Sequence, residues 1–311
     1  MKTILVTGGA GYIGSIAVKK LIESGYEVIV VDNLSKGDKA LVDRRAKFYV
    51  ADLVSDIELE KVFENRIDAV MHFAAYKAVG ESMENAVKYS DNLRGSINLF
   101  NQMIKHDVKR LIYSSSAAVY GMPDVDKITE DSETKPISFY GYTKLNTEEL
   151  LRWYNEIHGL SFVALRYFNV AGDGGLKYQD PEAQNVFPIL MEAINGKRDK
   201  FVIFGTDYPT NDGTCVRDYI DVNDLVDAHI KAIESGEGVI NLGTENGMSV
   251  RELVNVTKEV TEKDFLVEDG PRRAGDPAKL VASNAKAREM LGWEPKKSVH
   301  DMVKSTFDAY K

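Results

Sequence analysis

Cysteine is all but absent from this 311-residue chain, and the single Cys215 excludes both an intrachain disulfide framework and a metal centre built from several thiolates. No neighbouring residue marks Cys215 as an activated thiol, so a structural role is expected. No metal site is expected. Long apolar runs are also missing: none approaches the roughly 20 residues that a membrane-spanning helix needs. The sequence enters its first apolar run at Met1-Lys2 without a charged-then-apolar leader, which predicts a cytoplasmic protein. There is no basic excess, because the formal net charge is −9 with acidic and basic residues interleaved. That balance gives no electrostatic footprint for nucleic acid or anionic lipid, so any anionic ligand must be held by local donors. Internal repeats and low-complexity tracts are absent as well.

What is present is length and alternation. A chain of this size exceeds what one core ordinarily serves, which predicts two lobes. In the first half, apolar β-branched runs at 3–6, 28–31, 48–50, 69–72, 110–114 and 162–165 are separated by helically spaced segments such as 13–23 and 87–104. Runs apolar on both faces, with helices between them, predict a doubly wound parallel α/β sheet of Rossmann type. After Asn169 the rhythm changes. A polar, turn-rich stretch to Gln184 suits a loop that meets a ligand, and helices are expected at 186–195, 221–234, 250–260, 284–291 and 299–309, with a strand at 239–242. The expected division is a dinucleotide-binding domain from 1–169 and 216–243, and a smaller, discontinuous α/β substrate domain from 170–215 and 244–311.

Directly after Ile4-Leu5-Val6 comes Gly8-Gly9-Ala10-Gly11-Tyr12-Ile13-Gly14. Gly8, Gly11 and Gly14 permit a tight turn, close approach of a pyrophosphate, and a helix N-terminus beneath its charge. Glycine spacing alone is a weak signal; the preceding strand and following amphipathic helix supply its context. Asp32, at the end of the second strand, is placed to accept hydrogen bonds from ribose hydroxyls and to repel a 2′-phosphate, which favours NAD over NADP. Asp32-Asn33 also reads as a plain surface turn. Asp52-Leu53 after the third strand would flank the adenine in the same way.

The chemistry-bearing candidates are Ser114-Ser115-Ser116 and Tyr140-Gly141-Tyr142-Thr143-Lys144. Residues four apart share a helix face, so the Lys144 ammonium would lower the Tyr140 phenol pKa and reach a nucleotide ribose. A phenol ordinarily titrates near 10 and needs that help to serve as a base. Ser116 would hydrogen-bond the same substrate oxygen, although a serine run after a strand also forms turns. Among 15 tyrosines the Tyr-x-x-x-Lys spacing is expected about once by chance, so it is the order of all the parts that carries weight.

With these segments the sequence resembles the extended short-chain dehydrogenase/reductase family and, within it, the UDP-glucose 4-epimerases. Further matching segments are His72-Phe73-Ala74-Ala75, Lys77-Ala78-Val79-Gly80-Glu81-Ser82, Leu165-Arg166-Tyr167-Phe168-Asn169, and stretches 212–218 and 271–276. The resemblance implies a cofactor, NAD, lined also by Phe73, Ala74, Ala75, Lys77, Asn92, Ser114 and Tyr167. It implies a UDP-sugar substrate held by Asn169, Asn185, Val186, Arg217, Arg273 and Asp276. The two arginines suit a diphosphate on an acidic chain. Family dehydratases carry an Asp-Glu pair where this chain has Ala117-Ala118, and decarboxylating relatives carry an acidic residue there, so reversible oxidation at one sugar carbon is what the resemblance leaves. Ile16 stands where relatives often have histidine, and Ala118 replaces a threonine of some relatives. Leu280 falls where the family varies its sugar pocket. Its intermediate size leans toward UDP-glucose and UDP-galactose and leaves N-acetylhexosamines, pentoses and uronates as alternatives, with a non-catalytic NAD sensor as a further one. A homodimer through helices near 87–104 and 140–156 is implied by the same resemblance.

Overall fold

The apolar runs become strands because both of their faces find cover. In the computed structural model, which describes residues 1–273 and 275–311, β1 (Thr3–Thr7) is buried at every residue. It is followed by α1 (Tyr12–Glu23), β2 (Glu27–Asp32), β3 (Lys47–Val50), α2 (Asp56–Phe63), β4 (Ala69–His72), α3 (Val79–Glu84) and α4 (Ala86–Lys105). Next come β5 (Arg110–Ser114), α5 (Phe139–His158), β6 (Ser161–Tyr167), β7 (Asn169–Ala171), α6 (Val186–Ile194), β8 (Phe201–Phe204), β9 (Val216–Asp221) and α7 (Val222–Lys231). The chain continues through β10 (Gly238–Leu242), β11 (Gly247–Ser249), α8 (Val250–Thr261), β12 (Val267–Gly270), β13 (Lys279–Leu280), α9 (Ala285–Leu291) and α10 (Val299–Tyr310).

Contacts divide the chain into two units. The first comprises Met1–Gly121, Thr134–Arg166 and Val226–Ile240. Its sheet runs β10-β6-β5-β4-β1-β2-β3, and the ladders joining β3 to β2, β2 to β1, β1 to β4, β4 to β5 and β5 to β6 are all parallel. The order reverses at β1, so the loops leaving β1 and β4 diverge at their carboxyl ends, where a doubly wound fold opens its ligand crevice. A core of Leu5, Ile29, Val70, Leu99, Phe100, Leu111, Leu151 and Phe162 packs between this sheet and helices that include α4 and α5.

The second unit comprises Met122–Glu133, Tyr167–Leu225 and Asn241–Lys311. Here β9 pairs with β11, β13 and β7, and β12 pairs with β8. Phe187, Leu190, Met191, Tyr219, Leu253, Met302 and Tyr310 form its core. Helices α8 and α10 each start in a capping box, Ser249 with Glu252 and Ser298 with Asp301. Two differences from the sequence-based division have clear causes. Residues 216–225 belong to the second unit because β9 hydrogen-bonds β7, β11 and β13, not the central sheet. Residues 122–133 belong there because the Ile128 N–H donates to Val281 O at 2.8 Å and Ile128 O accepts from the Ser283 N–H at 2.8 Å. Among the described residues no helix is long and apolar enough to cross a membrane, and no three His, Cys, Asp or Glu side chains are grouped to hold a metal ion.

Candidate active site

The glycine turn leaves β1 and enters α1 under tight constraint. Gly8 has a φ of +70°, and a Cβ there would lie 2.7 Å from the Ala74 nitrogen; a Cβ on Gly14 would lie 2.1 Å from the Gly8 carbonyl oxygen. Glycine is therefore needed at 8 for both conformation and space, and at 14 for space alone. Gly11 is the N-cap of α1, and Tyr12 and Ile13 are its first residues. The cap makes no side-chain hydrogen bond and the first turn contains no acidic residue, so the positive end of the helix is not neutralised by a side chain of the turn. That is the arrangement a pyrophosphate requires, and these residues fit a dinucleotide.

Asp32 ends β2 with its carboxylate buried. Oδ2 accepts from the Ala10 N–H at 3.0 Å and Oδ1 from the Leu34 N–H at 2.8 Å, which ties the second strand to the glycine turn. Asn33 Nδ2 donates to Asp52 Oδ2 at 3.0 Å, joining the two loops that were assigned to adenosine. Leu53 is the next residue, and its carbonyl accepts from Asn98 Nδ2 at 3.0 Å. At the exit of β4, Phe73 donates its N–H to Thr7 O at 3.1 Å, followed by Ala74, Ala75 and Lys77 in the loop before α3. Asn92 on α4 clamps that loop, accepting from the Tyr76 N–H at 2.8 Å and donating to Tyr76 O at 3.0 Å.

Tyr140 and Lys144 occupy one buried face of α5. The Lys144 ammonium donates to Ser114 O at 2.7 Å and lies 5.8 Å from the Tyr140 ring centroid and 4.9 Å from that of Tyr113. Burial pulls Lys144 down to about 7, with the Glu148 carboxylate opposing the shift. Ser116 is outside β5, which ends at Ser114. It lies two residues beyond, capping a short 3-10 turn (Ala117–Tyr120), its Oγ accepting from the Ala118 N–H at 3.1 Å. The serine hydroxyl satisfies one of the amides that the start of the turn leaves without a backbone partner, that of Ala118.

In the second unit, Tyr167 ends β6 and Asn169 opens β7, its Nδ2 donating to Asp218 O at 3.2 Å. Asn185 is the N-cap of α6 and Val186 its first residue. Arg217, nearly buried on β9, pairs with Asp276 at 2.6 Å, while Arg273 lies 3.9 Å from the Phe204 ring centroid. Leu280 sits on β13, in register with Arg217. Ala274, inside the 271–276 stretch, lies outside the described residues. Burial pushes the Cys215 thiol up, away from the thiolate that reactivity needs.

A polar chain beneath the glycine turn escaped sequence reasoning. His72 Nδ1 is 2.7 Å from Thr7 Oγ1 and Nε2 is 2.9 Å from Ser96 Oγ, whose proton goes to Asn92 O at 2.7 Å. Since Ser96 donates elsewhere, it accepts from His72 Nε2–H. The neutral imidazole then accepts at Nδ1 from the Thr7 hydroxyl. Burial, with Lys144 adding repulsion, holds its pKa down to about 3. The signal was a histidine ending an otherwise apolar strand immediately before Phe73.

Comparison with known proteins agrees with this geometry. A model of the NAD dependent epimerase/dehydratase family matches residues 4–243. The chain belongs to that family. A UDP-glucose 4-epimerase of Lactobacillus helveticus is 46% identical, with 99% of this chain and 97% of that protein covered. A UDP-glucose 4-epimerase structure from Brucella ovis, solved in complex with NAD, has a TM-score of 0.96 at 38% identity, covering 100% of this chain and 98% of the other. The Bifidobacterium longum enzyme, solved with NAD+ and UDP, has a TM-score of 0.92 at 37% identity, covering 99% and 98%. Family membership and the glycine turn, Tyr140 and Lys144 thus point to one class of chemistry.

Proposed function

We infer that the protein interconverts UDP-glucose and UDP-galactose at carbon 4 of the sugar, with NAD retained through each cycle. The observation that carries this reading is Tyr140 and Lys144 on one buried helix face, the lysine bonded to the carbonyl that ends β5. When bound, NAD supplies the acceptor and donor of hydride for the sugar carbon. Tyr140 Oη takes the proton of the 4′-hydroxyl during oxidation and returns it during reduction. The Lys144 ammonium stabilises the phenolate, and Ser116 Oγ holds the sugar oxygen.

Gly8, Gly11, Tyr12, Ile13 and Gly14 are assigned to the pyrophosphate, and Asp32 to the adenosine ribose. Asn33, Asp52 and Leu53 are assigned to adenine, and Phe73, Ala74, Ala75, Lys77, Asn92, Ser114 and Tyr167 to the rest of the cofactor. Asn169, Asn185, Val186, Arg217, Arg273 and Asp276 are assigned to UDP, and Leu280 to the sugar. Epimerisation requires the 4-keto sugar to present its other face while UDP stays fixed, so tight nucleotide binding and loose hexose binding serve the reaction.

The same reading includes a cytoplasmic homodimer joined through α4 and α5. Its support is the apolar exposure on these helices, with Val87 82%, Trp153 61% and Ile157 66% exposed.

The deciding experiment incubates purified protein with UDP-galactose and no added NAD, then separates the products by chromatography. UDP-glucose is the expected product. No product, even with NAD supplied, moves the assignment to another UDP-sugar, beginning with UDP-N-acetylglucosamine.

A further inference from the structure

The chemistry above leaves unused a carboxylate one helical turn past Lys144 and the arginine of the Leu-Arg-Tyr-Phe-Asn run. Glu148 on α5 and Arg166 on β6 are both almost wholly buried. Arg166 Nε donates to Glu148 Oε1 at 2.9 Å and Nη2 to Oε2 at 2.5 Å, and the guanidinium lies 4.8 Å from the Tyr120 ring centroid. A buried ion pair is weak evidence for stability, because apolar residues of similar volume often do as well. Its placement is more telling.

Ser115 Oγ donates to the same Glu148 Oε1 at 2.5 Å. Ser115 is the residue between Ser114, whose carbonyl receives the Lys144 ammonium, and Ser116. Its N–H is bonded to Leu165 O at 2.9 Å, on the strand that carries Arg166. Helix α5 therefore grips the 114–116 segment twice, one turn apart, through Lys144 and through Glu148. Without the second grip, the segment leading to Ser116 is held from α5 only through Lys144, and Ser115 only by its backbone bonds to β5 and β6.

We propose that Glu148, braced by Arg166, is a positioning residue for the reaction: by fixing Ser115 it sets where the Ser116 hydroxyl stands relative to Tyr140 and Lys144. Glu148 does not touch substrate and acts only through Ser115 and, electrostatically, on Lys144. The groups facing that ammonium are Tyr140 and Glu148 from α5, Tyr113 and the Ser114 carbonyl from β5, and His72 from β4, with Arg166 of β6 behind Glu148. Glu148 is the only carboxylate among them, and its charge favours the protonated lysine against the effect of burial.

The proposal rests on the epimerase reading, and its test uses the NAD-loaded protein. Wild type, Ser115→Ala and Glu148→Gln are compared for kcat and KM with UDP-galactose, NAD content, melting temperature and the pH dependence of kcat. Ser115→Ala keeps the Glu148–Arg166 pair and removes one hydroxyl. It is expected to lower kcat roughly ten- to a hundred-fold, the scale of a small misplacement near the reacting atoms, with KM and NAD content unchanged. Glu148→Gln is expected to lower kcat and to move the alkaline limb of its pH profile downward, because Lys144 then releases its proton at lower pH. A wild-type kcat in Ser115→Ala, with only the melting temperature altered, overturns the proposal and leaves a structural pair; this holds even where Glu148→Gln does not fold. Absence of turnover in the wild type overturns the epimerase reading itself, and the proposal with it.

Discussion

Alanine at position 14 tests the cofactor cradle directly. Gly14 is in the first turn of α1 and outside the left-handed region, so its backbone accepts alanine, and helix propensity alone favours the change by roughly 0.8–1.0 kcal/mol. Space opposes it. The new Cβ would stand 2.1 Å from the Gly8 oxygen and 2.9 Å from both the Gly8 carbonyl carbon and the Gly9 Cα. Ordinary contact is about 3.5 Å, so turn and helix must part by more than about 1 Å. Neither side yields easily. The Gly8 N–H is bonded to Val31 O at 2.8 Å, and the Cβ position of Gly8 is already against the Ala74 backbone. Overpacking of this kind costs about 1–3 kcal/mol, with backbone-to-backbone contact at the upper end, which leaves a net loss of about 1–2 kcal/mol.

The effect on NAD is expected to be larger, because the shift moves the helix amides assigned to the pyrophosphate. Losing one charge-assisted hydrogen bond is worth about 1.5–3 kcal/mol, roughly ten- to a hundred-fold in affinity. The assay is NAD released per chain on denaturation of purified protein, together with the melting temperature, which should fall by roughly 2–8 °C for that net loss. Gly80→Ala is the matched control. It is also helical, and nothing lies within 4 Å of its Cβ, so it should keep its NAD and melt no lower than wild type. Wild-type NAD content and melting temperature in Gly14→Ala would refute the cradle.

Tyr140→Phe should keep NAD and lose kcat by roughly 10²–10⁴-fold; turnover near wild type in the UDP-galactose assay removes the proposed base. Arg217→Met should raise KM for the UDP-sugar roughly ten-fold or more with a smaller change in kcat, if the guanidinium is the charge-assisted contact to the diphosphate that the proposed function assigns to it; an unchanged KM argues against the diphosphate assignment. His72, held neutral with a pKa of about 3 against 6.5 for an unhindered imidazole, binds fewer protons folded than unfolded between those values. Stability therefore falls as pH drops through that window, by up to roughly 4–5 kcal/mol from this group, and denaturant midpoints of His72→Gln should fall less steeply there than those of wild type. Trp153→Glu should convert a dimer to monomer in sedimentation, and an unaltered dimer would place the interface elsewhere.

The first unit was legible because periodicity and burial agree in it: β1, β2, β4 and β5 are short apolar runs, and they are buried on both faces. In the second unit the helices α6, α8, α9 and α10 were legible by their spacing, whereas the charged strand that organises its sheet was not. Strand β9 reads Val-Arg-Asp-Tyr-Ile-Asp, and three charged residues in six look like a solvated turn. Arg217, Asp218 and Asp221 are nevertheless buried. Asp218 manages it by accepting from the N–H groups of Thr244, Glu245 and Ala282 and from the Thr244 hydroxyl. Burial still pushes its pKa up. Those donors come from 26 and more residues away, and no local pattern announces them.

The same physics governs α5. Glu148 and Glu149 are adjacent and chemically alike, yet the first is buried and the second exposed. What distinguishes them is phase. Tyr140, Lys144 and Glu148 recur every four residues, so accepting Tyr140 and Lys144 as a buried catalytic face commits Glu148 to that face as well. A buried carboxylate must have a partner, and the chain offers Arg166 within an otherwise apolar strand. The pairing was therefore open to deduction once the catalytic face was assigned, whereas the charges of β9 required the tertiary structure. A catalytic motif on a helix thus specifies more than the residues that react: its phase also predicts which charged neighbours lie buried with them.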